Sequence, residues 1–170
     1  TYPNKFHAIV IGSGSMKTQL LNRISEEKID KRVTFFSNLS TLEIFDLLRF
    51  SNIYVSLNRN GNLSNSNIEA MVAGKAMIIP SSDNQTGKDV YTDTIIDNEA
   101  VLRVNNSDNI EEIAQAIIFL YKNKKIRKKL EKNIIRVTNK YLKSWNDRIS
   151  WEYKLISLIL KGSKTELNNF

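Results

Sequence analysis

The chain has 170 residues, 41% of them hydrophobic, with 25 Lys and Arg against 18 Asp and Glu, which gives a formal net charge of +7. A globular domain of this size can bury a core without metal or disulfide support, and the absence of cysteine excludes thiol chemistry and cysteine-ligated zinc. There is one histidine, His7, and no apolar run approaches the roughly 20 residues of a membrane helix. We therefore expect a cytoplasmic protein without a metal site.

Short β-branched or aromatic runs predict five strands, which helical stretches separate. The runs cover residues 7–11, 33–36, 53–57, 76–80 and 101–104. Most are continuously apolar, which is typical of strands that helices cover on both faces. The alternation predicts an α/β fold, a doubly wound, Rossmann-like and mostly parallel sheet of about five strands. We expect this domain to span residues 1–161 and residues 162–170 to form a flexible tail.

Capping boxes mark the starts of two predicted helices, and a third helix start is predicted near the C-terminus. Ser40 with Glu43 has the spacing of a capping box, in which each side chain bonds the other residue's backbone amide. Asp108 with Glu111 has the same spacing, so we expect a helix to begin at Asp108. A last helix is predicted to begin near Ser144.

The positive charge is concentrated between residues 122 and 143. This segment has ten Lys or Arg residues and one acid, a local charge of +9, so the rest of the chain carries −2. An apolar stripe at steps of three and four predicts a helix over residues 124–143. The stripe consists of Ile126, Leu130, Ile134, Val137 and Tyr141. Its basic face is interpreted either as a solvated surface or as a peripheral contact with an anionic membrane. Nucleic acid is not expected, because no recognition motif for it is present.

Loops that follow the strands are the expected place for chemistry, because ligands of such sheets bind beyond the carboxyl ends of the strands. The turn from Gly12 to Gly14 joins a strand to a helix and suits either a phosphate or tight packing of the helix on the strand. A second, Asn- and Ser-rich loop runs from Asn58 into a helix on which Glu69 is the one acid among apolar residues. Glu69 either faces solvent or accepts hydrogen bonds from two sugar hydroxyls.

Several of these features occur together in one known family. A strand leads into Gly12-Ser13-Gly14, and the second loop leads into Glu69-Ala70-Met71, then Gly74-Lys75 and a strand that ends at Pro80. With Ser144-Trp145 before the last helix, the pattern resembles the C-terminal domain of retaining glycosyltransferases of the GT-B fold, family 4. The resemblance implies transfer of a sugar from a nucleoside-diphosphate donor, with retention and without an obligatory metal. It also implies that this domain holds the donor.

The resemblance assigns roles residue by residue. Glu69 matches the glutamate that binds the donor ribose hydroxyls, and a carboxylate can accept two such bonds. The other matching positions are the helix start that faces the donor's sugar and phosphates, the turn beside the nucleobase and the glycine turn that lines the cleft. These positions are, respectively, Leu63, Ser64, Asn65 and Ser66; Ser37 and Asn38; and Gly12 and Gly14.

The chain departs from the family pattern in two respects. The family has another glutamate near the transferred sugar. Seven residues separate it from the glutamate that Glu69 matches, and this chain has Gly61 at that position. Arg59 and Asn62 are close in sequence, but the pattern assigns them no such role. The family domain also opens with a strand and helix whose Arg and Lys clamp the diphosphate, and residue 1 matches a point after them. We therefore expect a fragment of a longer protein that also has an N-terminal acceptor domain.

The predicted function is the donor-binding part of a glycosyltransferase that moves a sugar to a cell-surface glycan or glycolipid. The 170 residues alone are expected to show little or no transferase activity. A catalytically silent partner subunit of an active glycosyltransferase is the alternative, and Gly61 favours it. A different α/β nucleotide or phosphate binder is a third possibility.

Overall fold

The computed structural model describes residues 5–58, 61–83 and 89–162. The chain falls into two compact units, Thr1–Phe50 and Ser51–Phe170, and each is described separately. The first contains β1 (Ala8–Ile11), α1 (Lys17–Glu26), a 3₁₀ turn (Asp30–Arg32), β2 (Val33–Phe36) and α2 (Thr41–Phe50). The second contains β3 (Ile53–Val55), α3 (Asn65–Val72), β4 (Ala76–Pro80), α4 (Val90–Ile95), β5 (Leu102–Val104), α5 (Ile110–Lys122), α6 (Lys124–Tyr141) and α7 (Trp145–Leu160).

The five predicted strands form, and each strand pairing in the described part of the chain is parallel. In the first unit β1 pairs with β2, with Ala8 opposite Val33 and Ile11 opposite Phe36. In the second unit the order is β3-β4-β5. The strands are thus divided between a two-stranded and a three-stranded sheet. The prediction of a parallel α/β fold with helices between the strands is confirmed.

The first unit leaves much of its sheet and of α1 exposed. Ile9 and Ile11 of β1 are exposed, as are Leu20 and Leu21 on the apolar face of α1. The expectation that strands are covered on both faces is therefore wrong for β1. Both strands of a two-stranded sheet are edge strands, and continuous apolar sequence alone does not supply the layer that would cover them.

The core of the second unit is built around β4. Ala76, Met77, Ile78 and Ile79 are fully buried, so both faces of this strand are covered. Ala76 and Ile78 pack in one cluster with Val104 of β5, Leu120 of α5 and Leu130 of α6. Each large apolar side chain buried in this way contributes about 1.5–3 kcal/mol. The buried central strand fixes the positions of the loops at its carboxyl end.

The basic helix α6 docks on this core through the middle of its predicted stripe. Leu130, Ile134 and Val137 are buried, whereas Ile126 and Tyr141 at the two ends are exposed. The Thr138 hydroxyl donates a hydrogen bond of 3.1 Å to the carbonyl oxygen of Met71, which attaches α6 to α3. The predicted helix therefore forms, with a shorter buried face than the sequence pattern indicates.

The capping box predicted at Ser40 and the helix start predicted near Ser144 are confirmed. The Ser40 amide donates to Glu43 Oε2 at 2.7 Å, and Ser144 forms a capping box with Asp147. The expected start at Asp108 is wrong by one residue, because Asn109 is the N-cap and its Oδ1 accepts from the Glu112 amide at 3.1 Å. Asn and Asp cap helices equally well, so adjacent candidates are not distinguished by residue type.

No helix in the described ranges is long and apolar enough to cross a bilayer. The predicted tail lies, apart from Gly162, outside the described residues.

Helix α3 ends in a Schellman motif that requires glycine. The Gly74 amide donates to Met71 O and the Lys75 amide to Ala70 O, both at 3.0 Å, while Gly74 has a left-handed φ of +64°. A Cβ on Gly74 would lie 2.9 Å from Ile135 Cδ1 of α6. The motif thus combines a backbone requirement with close approach of two helices.

We predict that Gly74→Ala lowers the free energy of unfolding by about 1–3 kcal/mol, through left-handed strain and displacement of Ile135. Gly162→Ala is the matched control, because Gly162 has the same φ of +64° but no heavy atom within 4 Å of an added Cβ. Urea unfolding followed by circular dichroism measures both. A loss for Gly74→Ala no larger than that for Gly162→Ala would contradict the packing role.

Candidate functional site

A cavity of about 290 Å³ opens at the carboxyl edge of the three-stranded sheet. It is lined by residues that follow β3, begin α3 and surround the start of α4. These residues are Asn58, Gly61, Leu63, Ser64, Asp89 and Thr92. Ser64 is the N-cap of α3, and its hydroxyl accepts from the Asn67 amide at 3.3 Å. The positive end of the α3 dipole therefore lies at this cavity.

Two buried asparagines hold the loop between β3 and α3. Asn62 and Asn67 are both fully buried. The Asn62 side chain donates to the carbonyl oxygen of Pro80 at 3.0 Å, and the Asn67 side chain donates to the carbonyl oxygen of Asn62 at 2.9 Å. The Tyr54 hydroxyl completes the series by donating to Asn67 Oδ1 at 3.0 Å. Buried amides are costly unless they are hydrogen-bonded, so these donated bonds favour one loop conformation, although Asn62 Oδ1 is buried without a hydrogen-bond partner among the described residues.

The same loop is attached to the start of α4 through the side chain of Asp89. Asp89 Oδ1 accepts from the Asn62 amide and from the Thr92 hydroxyl, each at 3.0 Å. Gly61, with a φ of +135°, lies directly beside this carboxylate, since a Cβ on Gly61 would be 3.5 Å from Asp89 Oδ1. Absence of a side chain at position 61 thus leaves the space next to Asp89 open.

Arg103 of β5 fixes α4 against the sheet. Its side chain is 9% exposed. The guanidinium lies 2.6 Å from Asp93 Oδ1 of α4 and donates to Ile96 O at 2.7 Å and Pro80 O at 3.1 Å. Burial lowers the pKa of Arg103, and the negative charge of Asp93 opposes that shift. Arginine stays charged in proteins, so this buried cation needs its acidic and carbonyl partners.

Glu69 lies one helical turn into α3, beside Tyr54 rather than in the wall of the cavity. Its side chain is half-buried and has no hydrogen bond or ion pair with another residue in the described ranges. Burial raises the pKa of the Tyr54 phenol, and the negative charge of Glu69 adds to that rise. Among the described residues, Glu69 is therefore a half-buried carboxylate without a hydrogen-bonded partner.

In the first unit, the predicted residues gather at the carboxyl edge of the two-stranded sheet. The Gly12 amide donates to Phe36 O at 2.9 Å, which extends the ladder to the residue before Ser37. Gly14 begins the turn into α1, where its carbonyl oxygen accepts from the Lys17 amide at 3.1 Å. The Lys17 ammonium donates to the Ser37 hydroxyl. Asn38 follows as an exposed residue.

In the second unit, the predicted residues are divided between two places. Leu63 and Ser64 line the cavity, whereas Asn65 and Ser66 are exposed in the first turn of α3 and Glu69 lies beside Tyr54. Arg59 lies outside the described residues. The sequence analysis did not identify Asp89, Thr92 or Lys17, whose places in these sites depend on contacts between segments that are distant in the chain.

Parallel sheets flanked by helices, with polar loops at their carboxyl edges, are the architecture of the Rossmann-like C-terminal domain of GT-B glycosyltransferases. A profile of the family described as glycosyl transferases group 1 matches residues 3–137. The chain belongs to this family. None of the curated proteins matches the chain.

Three solved structures share the fold at low sequence identity. Sucrose-phosphate synthase from Thermosynechococcus elongatus has a TM-score of 0.70 at 18% identity, over 91% of this chain and 39% of that one. The C-terminal domain of a glycosyl transferase group 1 family protein (LpcC) from Francisella tularensis has a TM-score of 0.66 at 23% identity, over 84% and 72%. The pneumococcal O-GlcNAc transferase GtfA, in complex with UDP and GlcNAc, has a TM-score of 0.68 at 13% identity, over 90% and 29%.

We predict that Arg103→Gln lowers the free energy of unfolding by roughly 1–3 kcal/mol, because it removes charged hydrogen bonds to Asp93 and to two backbone carbonyl oxygens. Urea unfolding monitored by circular dichroism tests this. The control is Arg148→Gln, which breaks an exposed pair with Glu152 on α7 and is expected to cost less than about 1 kcal/mol. Equal effects of the two substitutions would contradict the structural role of Arg103.

Proposed function

We propose that this domain is the donor-binding part of a glycosyltransferase that moves a sugar from a nucleoside-diphosphate sugar to a glycan or glycolipid acceptor with retention. The observation that carries the proposal is Glu69, a half-buried carboxylate without a hydrogen bond to another described residue, on the helix whose N-cap borders the cavity. A carboxylate can accept hydrogen bonds from both hydroxyls of a ribose.

The start of α3 suits the diphosphate in this proposal. Its first amides are not used inside the helix, and the positive end of the dipole favours an anion there. Ser64 caps the helix and lines the cavity. A nucleotide bound with its ribose at Glu69 and its phosphates at the helix start would direct the sugar toward the cavity beside Gly61.

The alternative is a catalytically silent partner subunit of an active glycosyltransferase. Gly61 favours it, since no side chain stands at the position where the family pattern has a glutamate. A silent subunit that kept the donor site would still bind a nucleoside diphosphate but would show no sugar transfer when combined with acceptor. Transfer by the complete protein would exclude it.

We predict that Glu69→Ala weakens binding of a nucleoside diphosphate at least tenfold, or about 1.4 kcal/mol, because two charge-assisted hydrogen bonds are lost. Calorimetric titration with UDP, GDP and ADP identifies the ligand. The test then compares that ligand with its 2′,3′-dideoxy form, which lacks both ribose hydroxyls. Glu99→Ala, an exposed acid of the same unit, is the control.

The dideoxy comparison separates a ribose contact from a general loss of structure. The original chain should discriminate against the dideoxy ligand, and Glu69→Ala should bind both ligands with similar affinity. Equal discrimination in the two proteins would refute the ribose assignment.

We further propose that α6 contacts an anionic membrane surface. Lys125, Lys129 and Lys132 are exposed at steps of four and three, so they share one face, opposite the buried Leu130 and Ile134. Each basic side chain near an anionic surface contributes about 1 kcal/mol. Cytoplasmic location at the inner face of the membrane would follow from this contact.

Changing Lys125, Lys129 and Lys132 together to Gln should weaken binding to phosphatidylserine-containing vesicles by about a hundredfold. Co-sedimentation with these vesicles and with pure phosphatidylcholine vesicles measures the effect. The control replaces three exposed lysines of the first unit, Lys5, Lys28 and Lys31, with Gln, which removes the same charge. Equal weakening by both triple variants would show that net charge, and not this face of α6, is responsible.

A further inference from the structure

Among the described residues that line the cavity, Asp89 is the acidic one, and its carboxylate is held in a defined orientation. Its Oδ1 atom is engaged by the Asn62 amide and the Thr92 hydroxyl. Its Oδ2 atom has no hydrogen-bond partner among the residues that the structure describes. Among the described residues, Asp89 therefore lines the cavity with one carboxylate oxygen that the local hydrogen bonds do not occupy.

The backbone at Asp89 supports a role beyond capping α4. Asp89 has a left-handed φ of +58°, which non-glycine residues seldom adopt, and its side chain makes no capping bond to the helix that follows. Buried or half-buried contacts on both sides maintain this conformation: Asn62 and Thr92 hold the carboxylate, and Arg103 holds α4 through Asp93. Strained residues that neighbouring structure holds in place occur preferentially at functional sites.

Charge divides the cavity into two ends. The Ser64 end carries the positive pole of α3, which attracts phosphate, whereas the Asp89 carboxylate repels anions. A carboxylate accepts hydrogen bonds from hydroxyl groups and disfavours a second carboxylate in its neighbourhood. Because Gly61 has no side chain, a sugar ring can approach Asp89 closely.

Resting on the donor site proposed above, we propose that Asp89 is a specificity-determining residue: it selects donors whose sugar is uncharged and rich in hydroxyl groups over donors that carry a uronic acid. The phosphates bind toward Ser64 and the sugar hydroxyls toward Asp89. An acidic sugar would place its carboxylate beside that of Asp89 in a partly desolvated cavity.

The test measures the ratio of affinities for a neutral and an acidic donor with the same nucleotide. The pair is UDP-glucose and UDP-glucuronic acid, or GDP-mannose and GDP-mannuronic acid, according to the nucleotide that the titrations identify. Calorimetry on the full chain should give a preference of at least tenfold for the neutral sugar. The nucleoside diphosphate alone is titrated in parallel.

Asp89→Asn and Asp89→Gly are the two variants, because Asn and Gly are the residues that best tolerate a left-handed φ. Asn also keeps an oxygen for the Asn62 amide and the Thr92 hydroxyl. Both variants should reduce the preference to within about threefold. Asp89→Asn, which can keep the bonds to Asn62 and Thr92, should change the affinity for the nucleoside diphosphate less than it changes the preference. Asp30→Asn, which removes an exposed acid of the first unit, should leave the preference unchanged.

The outcomes distinguish this inference from the proposed function. If the original chain binds a nucleoside diphosphate but does not prefer the neutral sugar, or if both variants keep the preference, the assignment to Asp89 is wrong and the donor site stands. If the variants weaken binding of the nucleoside diphosphate as much as binding of the sugar nucleotide, Asp89 has only a structural role. If no nucleoside diphosphate binds to the original chain, the proposed function fails and the inference fails with it.

Discussion

The carbonyl oxygen of Pro80 is a shared hydrogen-bond acceptor on which the position of the cavity walls depends. It lies at the carboxyl end of the buried strand β4 and accepts from two side chains, Asn62 Nδ2 at 3.0 Å and Arg103 Nη1 at 3.1 Å. Asn62 belongs to the loop before α3, and Arg103 holds α4 through Asp93. Pro80 O thus holds two segments at the same end of β4: the loop that carries Gly61 and the start of α4 that carries Asp89. Removal of either donor would weaken the attachment of that segment to the sheet.

Burial of β4 fixes the position of the Pro80 carbonyl oxygen. Because its residues are covered on both faces, the strand cannot shift in register without moving apolar side chains into polar surroundings. The polar groups at the end of β4 then have fixed partners. The hydrogen bonds that join Tyr54, Asn67 and Asn62 end on Pro80, so their positions are fixed as well. The packed core and the polar site are consequently one structure, in which hydrophobic burial determines where hydrogen-bond donors stand.

The sequence predicts the order of elements well and the site only in part. The strands follow from local apolar runs, and Glu69 stands out because it is an acid among apolar neighbours on one helix. Asn62 and Asn67 do not stand out, because asparagine in a polar loop usually faces solvent, and only tertiary packing buries these two. The proximity of Asp89 to Gly61 could not be predicted from the sequence. It depends on the hydrogen bond from the backbone amide of Asn62, the neighbour of Gly61, to Asp89, and these two residues are 27 positions apart. Burial of β1 on both faces could not be judged from the sequence either, because an apolar run does not show whether helices pack on one face of the strand or on both.

Gly61 and Asp89 are best understood as one feature. A glutamate at position 61 would require an L-residue at a φ of +135° and would bring a second carboxylate next to Asp89, whose Oδ1 would be 3.5 Å from the new Cβ. Steric strain and like-charge repulsion both oppose that combination. The glycine at 61 therefore does not by itself indicate a silent domain, because the space that it leaves is bordered by a carboxylate from another segment. If a donor sugar binds as we propose, the carboxylate that borders this space is that of Asp89.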